Sequence, residues 1–247
     1  MAAFFFPLRS NCPSTHHHKS LPFNENLLKQ TSTRVIRNWN PAIMSTKLRS
    51  AKWIQKNGFA PQVFLFRNIE TNQVLYSQLP HISNYQIKQQ FWRPNWQDRK
   101  PQKRRDIWRC MAVADFHNYD NALKAYHALV ELRYLRQVTK KEEAMAMRRR
   151  NKDGNIWFSA QFRPVHSQEA VADLSTVIDE FNMPSKIYWE SLWRRGDEKY
   201  WNKDLTTHEE MDLRDPRFRT VVLNDIKEKS KAEIGLNQAR AATSKLQ

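Results

Sequence analysis

Residues 93–111 form the segment that most restricts how this chain can fold. Their sequence is RPNWQDRKPQKRRDIWRCM, with proline at positions 94 and 101. Each proline disfavours helix for the residue before it, so the first half of the segment is predicted to be an extended arm. Residues 106–113 are apolar enough to enter a core as a strand. We therefore expect an arm that is fixed to the fold at its C-terminal end.

The arm combines a high density of positive charge with tryptophan side chains. Its cations are Arg93, Arg99, Lys100, Lys103, Arg104, Arg105 and Arg109, which surround Trp96 and Trp108. The opposing acids in the segment are Asp98 and Asp106. A polyanion that also offers flat bases or sugars, which means a nucleic acid, fits this combination best. The alternative is a solvated charged run, although such runs rarely carry tryptophan at both ends.

The composition of the whole chain agrees with a polyanionic partner. A chain of 247 residues with 40% hydrophobic residues can bury one moderate core, so we expect one globular domain with tails. Its net charge of +16 and pI near 10.0 indicate ribosomal RNA, DNA or an anionic membrane as its native surroundings. No apolar run approaches the roughly 20 residues that cross a bilayer, so no membrane span is expected.

Residues 1–43 have the composition of a mitochondrial import segment. They are basic and rich in Ser, Thr and Asn, and they contain a single acid, Glu25. The alternative is a disordered basic tail that stays attached. Cysteine occurs at positions 12 and 110. Because Cys12 lies in this segment, we expect no internal disulfide and a reducing compartment.

The middle of the chain predicts an α+β fold with a small mixed sheet. Residues 60–78 read as a hairpin, with an apolar first strand that is expected to be central. A helix capped by Ser83 is predicted to run to Phe91, and a third strand is predicted over residues 107–116. Whether Cys110 points into the core from that strand is left open.

A long basic helix is predicted next, capped by Asn118 or Asp120 and running to about residue 150. It is expected to be the longest helix. Its predicted buried side consists of Tyr119, Leu123, Tyr126, Val130 and Tyr134. Its basic side is predicted to bind nucleic acid through Arg133, Arg136, Lys140, Arg148, Arg149 and Arg150. The alternative is a solvated basic face.

The rest of the chain alternates extended, acidic and aromatic stretches. Residues 156–163 read as extended, and Ser167 is predicted to cap an acidic helix that faces away from the polyanion or pairs with basic neighbours. Residues 184–202 are aromatic and basic, and several of their rings are expected to pack on the core. A weakly amphipathic helix is expected over 216–234. The predicted divisions are a segment 1–43, a nucleic-acid-binding α+β domain 44–202 and a charged helical tail 203–247.

The chain offers no catalytic constellation. With four glycines it has no phosphate-binding glycine loop and no dinucleotide fingerprint, so ATP hydrolysis is not expected. His127 and Glu131 stand one helical turn apart, but the predicted helix supplies no second pair of metal ligands. We predict no catalytic residue, no metal, no cofactor and no small-molecule substrate.

Several blocks of the sequence carry a family resemblance. They are PQVFLFRN (61–68), QVLYSQ (73–78), RPNW with RKP and RRDIWRCM (93–111), LRYLR (132–136), SQEAVADL (167–174) and IYWE followed by WRRGD (187–197). In this order, over residues 50–202, they resemble a fungal mitochondrial family. That family is known both as a large-subunit mitoribosomal protein and as mitochondrial homologous recombination protein 1.

The resemblance implies a protein of the mitochondrial large ribosomal subunit that contacts ribosomal RNA and neighbouring mitoribosomal proteins. It also implies roles in mitochondrial DNA recombination and maintenance and in nuclear transcription regulation, hence a second location in the nucleus. Our leading hypothesis is a structural, non-enzymatic RNA-binding protein. The alternative is an ATP-independent protein that binds and pairs mitochondrial DNA, and a nuclease is a third, weaker one.

Overall fold

The computed structural model of the chain describes residues 48–91, 101–102, 104, 106–147, 163–212 and 218–244. Its strands are β1 Gln62–Asn68, β2 Val74–Ser77, β3 Trp108–Asp115, β4 Ser185–Trp189 and β5 Thr206–Glu210. They form one sheet in the order β2-β1-β3-β4-β5. Neighbouring strands are antiparallel except β4 and β5, which are parallel. The predicted α+β fold with a mixed sheet is confirmed, and β1 is an inner strand as expected.

Helices cover both faces of the sheet. They are α1 Ala51–Lys56, α2 Asn84–Gln90, α3 Tyr119–Tyr134, α4 Lys141–Met147, α5 Arg163–Phe181 and α6 Arg219–Ser244. The predicted caps are present: the Ser83 side chain accepts from Gln86 N in a capping box, and the Asn118 side chain accepts from Asp120 N. Within the described ranges, no helix is both long enough and apolar enough to cross a membrane.

The β1–β2 hairpin is closed by an asparagine that replaces missing backbone acceptors. The Asn68 Oδ1 oxygen accepts hydrogen bonds from the backbone N–H groups of Glu70 and Thr71, at 2.8 and 3.1 Å. Asn72 adopts a φ of 56°, which asparagine tolerates better than most residues. The turn predicted at residues 70–72 therefore has a clear local cause.

The strands alternate between two separate cores. Successive residues of β1 point to opposite faces, so Leu65 joins the core under α3 and α5, whereas Phe64 joins the core under α2 and α6. Cys110 is buried in the second core, which settles its direction, and burial raises the pKa of its thiol to about 12. That thiol is free and unreactive at neutral pH.

The basic helix is shorter than predicted. α3 ends at Tyr134 and passes into a π-helical segment, Leu135–Thr139, in which the Lys140 N–H donates to the Leu135 carbonyl at 2.7 Å. The β-branched side chains of Val138 and Thr139 disfavour a regular helix at this point. The expectation of one helix to residue 150 is therefore wrong, and residues 148–150 lie outside the described residues. Nor is α3, with 16 residues, the longest helix, since α6 has 26.

The buried side of α3 combines alanines with larger residues. Of the side chains predicted to face the core, Tyr126 and Val130 are buried, whereas the others are half-buried. Ala122, Ala125 and Ala128 lie against the sheet. Leu129 and Leu132, which the prediction left out, are also buried, so the core-facing stripe of α3 is only partly the predicted one.

The acidic helix begins earlier than predicted. α5 starts at Arg163, so Ser167 lies within its second turn instead of capping it. Pro164 marks the start, because proline is favoured in a first helical turn, where its missing N–H is not needed. Arg163 is therefore helical, and the rest of the segment predicted as extended, 156–162, lies outside the described residues.

The sheet extends beyond residue 202, where sequence analysis ends the α+β domain. β5 pairs with β4, and the side chains of Met211, Leu223 and Ile226 are buried in the second core. α6 therefore packs on the sheet through its first half. The aromatic stretch 184–202 also contributes to the fold, since Trp189 and Trp201 are buried as expected.

Candidate nucleic-acid interface

Phe91, just before the arm segment, meets Trp108, near the C-terminal end of that segment, inside the protein. The rings of Phe91 and Trp108 lie 6.2 Å apart and both are buried. The Trp108 Nε1–H donates to the Gln102 carbonyl at 3.4 Å, and Pro101 is buried beside them. This aromatic pair, which we call the base of the arm, joins described residues before and within the arm segment. Trp108 therefore belongs to the second core.

The described cations of the arm are at the surface. The Arg104 guanidinium binds the Asp106 carboxylate through two hydrogen bonds, and both side chains are mostly exposed. Arg109 is exposed although it belongs to β3. The other arm residues predicted to bind nucleic acid, Arg93, Trp96, Arg99, Lys100, Lys103 and Arg105, lie outside the described residues.

Further basic residues gather at the end of the sheet from which the arm emerges. Arg67, near the end of β1, is paired in the strand register with Arg109. The Glu190 carboxylate, just after β4, lies 3.5 Å from Arg67 Nη2 and 3.0 Å from Arg194 Nε. We call this region, defined by Arg67, Arg109 and Arg194, the basic end of the sheet.

The topology directs other segments to the basic end. α3 runs back towards it after β3, so the π-helical segment and α4 follow there. β5 ends beside Trp189, whose carbonyl accepts from Met211 N at 2.7 Å. α6 then begins with Arg219, whose Nη1 donates to the Trp108 carbonyl at 2.9 Å. The arm, the α3 end and the α6 start are thus brought together although they are distant in sequence.

Arg133 of the predicted binding set is used inside the protein. Its side chain is buried, and its Nη1 donates to the carbonyl of Val74 and to Gln90 Oε1. Its guanidinium also lies 3.9 Å from the centre of the Phe91 ring. Arg133 therefore joins α3 to β2 and to the base of the arm.

Arg136 of the same set is paired with the acidic helix. It binds Asp173, and its Nη1 lies 3.5 Å from Glu169. Burial by itself lowers the pKa of the Arg136 guanidinium, but the two carboxylates outweigh it, so that pKa lies above its ordinary value. Asp173 also accepts from the hydroxyl of Tyr76 at 3.3 Å. The acidic helix thus pairs with a basic neighbour. This confirms one of the two expectations for that helix.

Of the remaining cations predicted to bind nucleic acid in the α3 region, the structure describes Lys140. Lys140 is partly exposed and its Nζ lies 3.5 Å from Glu143, which is itself mostly exposed. Arg148, Arg149 and Arg150 lie outside the described residues. Of the predicted binding residues that the structure describes, Arg104, Arg109 and Lys140 reach the surface, whereas Arg133 and Arg136 are engaged within the fold.

The structure also exposes a tryptophan, Trp193, that the sequence analysis did not select. Trp193 has 72% of its surface exposed, and the Arg194 guanidinium lies 4.5 Å from the centre of its ring. The sequence signal was the run WRRGD within the aromatic stretch, where no pattern separates Trp193 from the buried Trp189 and Trp201. The difference comes from the turn: Trp193 lies in a short 3-10 segment, Leu192–Arg195, between β4 and β5.

At the opposite end of the sheet, basic side chains lie close to carboxylates. Lys186 Nζ lies 2.9 Å from Glu209 and 3.8 Å from Glu233 of α6, and His117 Nδ1 lies 3.5 Å from Glu233. Asp115 is buried and accepts from Gln62 at 2.9 Å. Among the described residues, no group of three or more His, Cys, Asp or Glu is placed to hold a metal ion.

Comparison with known proteins identifies relatives over most of the chain. Residues 60–143 match the protein family described as "Transcriptional regulation of mitochondrial recombination". The chain is 49% identical over 205 residues to "Large ribosomal subunit protein mL67" of Candida albicans, which covers 83% of this chain and 84% of the relative. The protein of that name from Debaryomyces hansenii is 49% identical over 189 residues, 76% of this chain and 81% of the relative. The one from Kluyveromyces lactis is 54% identical over 164 residues, 65% and 75% respectively.

Proposed function

Because the chain belongs to the family of the fungal large ribosomal subunit protein mL67, we propose that it is a structural component of the mitochondrial large ribosomal subunit, where it binds ribosomal RNA. The observation that carries this proposal is the extent of the similarity, 83% of this chain and 84% of the relative from Candida albicans. A match of that extent is not confined to one motif. It agrees with the family predicted from the sequence blocks.

The charge distribution supports RNA as the partner. The proposed contact residues are the surface cations Arg104, Arg109 and Lys140 that the structure describes, together with Trp96 and the other basic residues that the sequence predicts to bind. They are Arg93, Trp96, Arg99, Lys100, Lys103, Arg104, Arg105, Arg109, Lys140, Arg148, Arg149 and Arg150. Cations of this kind contact phosphates and fix the position of the protein without reading base sequence. Arg133 and Arg136 contribute indirectly, because they hold α3 and the base of the arm in place.

Sedimentation of mitochondrial extracts tests the ribosomal role. We expect the full chain to sediment with the large subunit and to stay there through a wash that removes loosely bound protein. Recovery of the protein in light fractions, under conditions that keep the large subunit intact, would overturn the proposal.

In the same cells, deleting residues 1–43 tests our proposal that they direct import, since the shortened protein should be excluded from mitochondria.

A second role on mitochondrial DNA is favoured by one specific observation. The match to the family described by mitochondrial recombination spans residues 60–143, which include the whole arm. We propose that the same surface binds single DNA strands and promotes their pairing without ATP, and that any effect on transcription follows from this DNA binding. That description refers to mitochondrial recombination, so we confine the proposal to the mitochondrion.

Strand-annealing assays with purified protein and complementary strands test the DNA role. Annealing should be faster than the spontaneous rate without added nucleotide, and the acceleration should weaken steeply as salt rises. Binding without acceleration would reject the pairing role and leave the ribosomal role standing.

A further inference from the structure

Trp193 is the most exposed of the large hydrophobic side chains that the structure describes. Its exposure of 72% compares with 39% for Trp53, whereas Trp108, Trp189 and Trp201 are buried. Exposing an indole to water gives up the free energy that its burial would gain. Trp193 lies in the 3-10 turn between β4 and β5, and its ring packs against the Arg194 guanidinium. A ligand with a flat face could therefore stack on this exposed ring.

The Arg194 guanidinium, which lies beside this ring, shares a single carboxylate with that of Arg67. The same oxygen of Glu190, Oε2, lies near both Arg67 and Arg194. The Nε of Arg67 is buried and has no hydrogen-bond partner among the described residues. Burial and the nearby charge of Arg67 both lower the pKa of the Arg194 guanidinium. This cluster therefore carries more positive charge than its acid neutralises, and an added anion would relieve the repulsion.

We propose that Trp193 stacks on an unpaired base of a single-stranded nucleic acid, while Arg67 and Arg194 provide the positive potential for the adjoining phosphate. This would be a second nucleic-acid subsite at the basic end, separate from the arm. The inference rests on the proposed function, because it names the part of the nucleic acid that this surface takes: an unstacked nucleotide instead of a duplex.

The chemistry favours a nucleotide over an apolar protein surface. An aromatic side chain beside an excess of guanidinium groups is what single-strand binding proteins use, since every base has a flat face next to a phosphate. Bases within a duplex are already stacked on each other and cannot cover the ring, whereas loops and single-stranded ends can. A neighbouring protein with an apolar patch would leave the surplus charge of Arg67 and Arg194 unbalanced.

The test compares Trp193→Ala with a matched control, Trp53→Ala. Trp53 is also partly exposed, and the Arg49 guanidinium lies 4.7 Å from its ring centre, but it belongs to α1. Binding of the full chain is measured by fluorescence anisotropy with a labelled oligouridylate and with an abasic oligonucleotide of equal length, which keeps the phosphates. Circular dichroism and the Tm of each variant verify that both fold.

Trp193→Ala should weaken binding to the oligouridylate by about fivefold or more and leave binding to the abasic strand unchanged. Trp193→Phe, which keeps an aromatic face, should restore most of the affinity, and Trp53→Ala should bind both strands like the natural protein. Equal loss on both strands, or no loss on either, would overturn the stacking subsite; the second result would assign Trp193 to another partner, such as a neighbouring protein. If the natural protein bound neither strand, the proposed nucleic-acid function itself would fail.

Discussion

Arginines near one end of the same sheet are used in two opposite ways. Arg133 of α3 and Arg136 of the π-helical segment donate into the fold, the first to the Val74 carbonyl and the second to Asp173. Arg104 and Arg109 are exposed, and Arg104 pairs with an acid two residues away in its own segment. Local charge density in the sequence is high in both regions. What separates them is whether a distant part of the chain supplies an acceptor.

The buried arrangement is stable only because its charges are compensated. A guanidinium removed from water needs acceptors for its donors, and Arg136 obtains them from the acidic helix α5. The exposed arginines remain hydrated and are available to an external phosphate. A basic helix face is therefore available to an external partner only where no acidic helix packs against it.

The largest effect should come from breaking the buried pair. Replacing Arg136 by Met leaves Asp173 buried without its cation, so the free energy of unfolding should fall by about 3 kcal/mol. The side chains of this pair are only 15% and 9% exposed, which limits rescue by solvent. Urea denaturation followed by circular dichroism measures the change.

Arg109→Met is the matched control for Arg136→Met. Arg109 is exposed at the same end of the sheet, so its loss should change the free energy of unfolding by less than about 0.5 kcal/mol. If Arg136→Met were as stable as this control, the two groups of arginines would not differ in the way described.

Reversing the charge of the arm should act on binding and not on folding. The double substitution Arg104→Glu with Arg105→Glu should lower affinity for single-stranded RNA by roughly tenfold or more and reduce the salt slope by at least about 1.4, without changing sequence preference. Lys203→Glu with Lys229→Glu gives the same change of net charge at exposed positions away from the arm, and its effect should be much smaller. An unchanged salt slope in the arm variant would show that the arm is not the contact.

The sequence predicted those parts of the fold that depend on local patterns. The hairpin follows from an apolar run and its turn residues, and α2 and α3 begin at their predicted caps, Ser83 and Asn118. Periodicity and capping act over a few residues, so they can be read without knowledge of the rest of the chain. The exposed arm cations were found in the same way, from density alone.

The parts that were missed depend on contacts between distant residues. β5 has the sequence TTHEE, which carries no hydrophobic signal, and it becomes a strand because β4 offers it an edge. Asp173, the partner of Arg136, lies 37 residues away in the sequence, so no local pattern predicts the pair. Trp193 differs from Trp189 only in its place relative to the sheet. These three cases share one cause, which is that burial is set by tertiary packing.

His208 is a half-buried base that packs against tryptophans, so a pH titration can measure what this position contributes to stability. Trp189 Nε1–H donates to His208 Nδ1 at 3.0 Å, and Trp201 lies edge-on at 4.8 Å. Burial, aided by the charge of Arg195, lowers the pKa of His208 to about 4. Between about pH 6.5 and 4 the unfolded chain binds a proton there that the folded chain does not, so stability falls as pH falls through this range.

His208→Asn isolates this contribution from that of other titrating groups. Asparagine keeps an acceptor for Trp189 but cannot take up the proton. Between pH 7 and 5 the natural protein should lose roughly 1 kcal/mol more of its free energy of unfolding than the variant, after allowing for partial solvent screening. Equal losses would mean that His208 titrates in the fold as it does in the unfolded chain.

Substitution of Lys140 should have the smallest effect on stability. It also tests where the residues engaged within the fold end and the surface cations begin. It follows the buried arginines in sequence, yet its Glu143 partner is 55% exposed, so Lys140→Gln should change the free energy of unfolding by only about 0.3 kcal/mol. If Lys140 contacts a phosphate, the same substitution should reduce the salt slope of single-stranded RNA binding by about 0.7. Both quantities come from urea unfolding and from anisotropy titrations at several salt concentrations. A stability loss above about 1 kcal/mol with an unchanged slope would place Lys140 with Arg133 and Arg136, and the external surface of this region would then begin after α4.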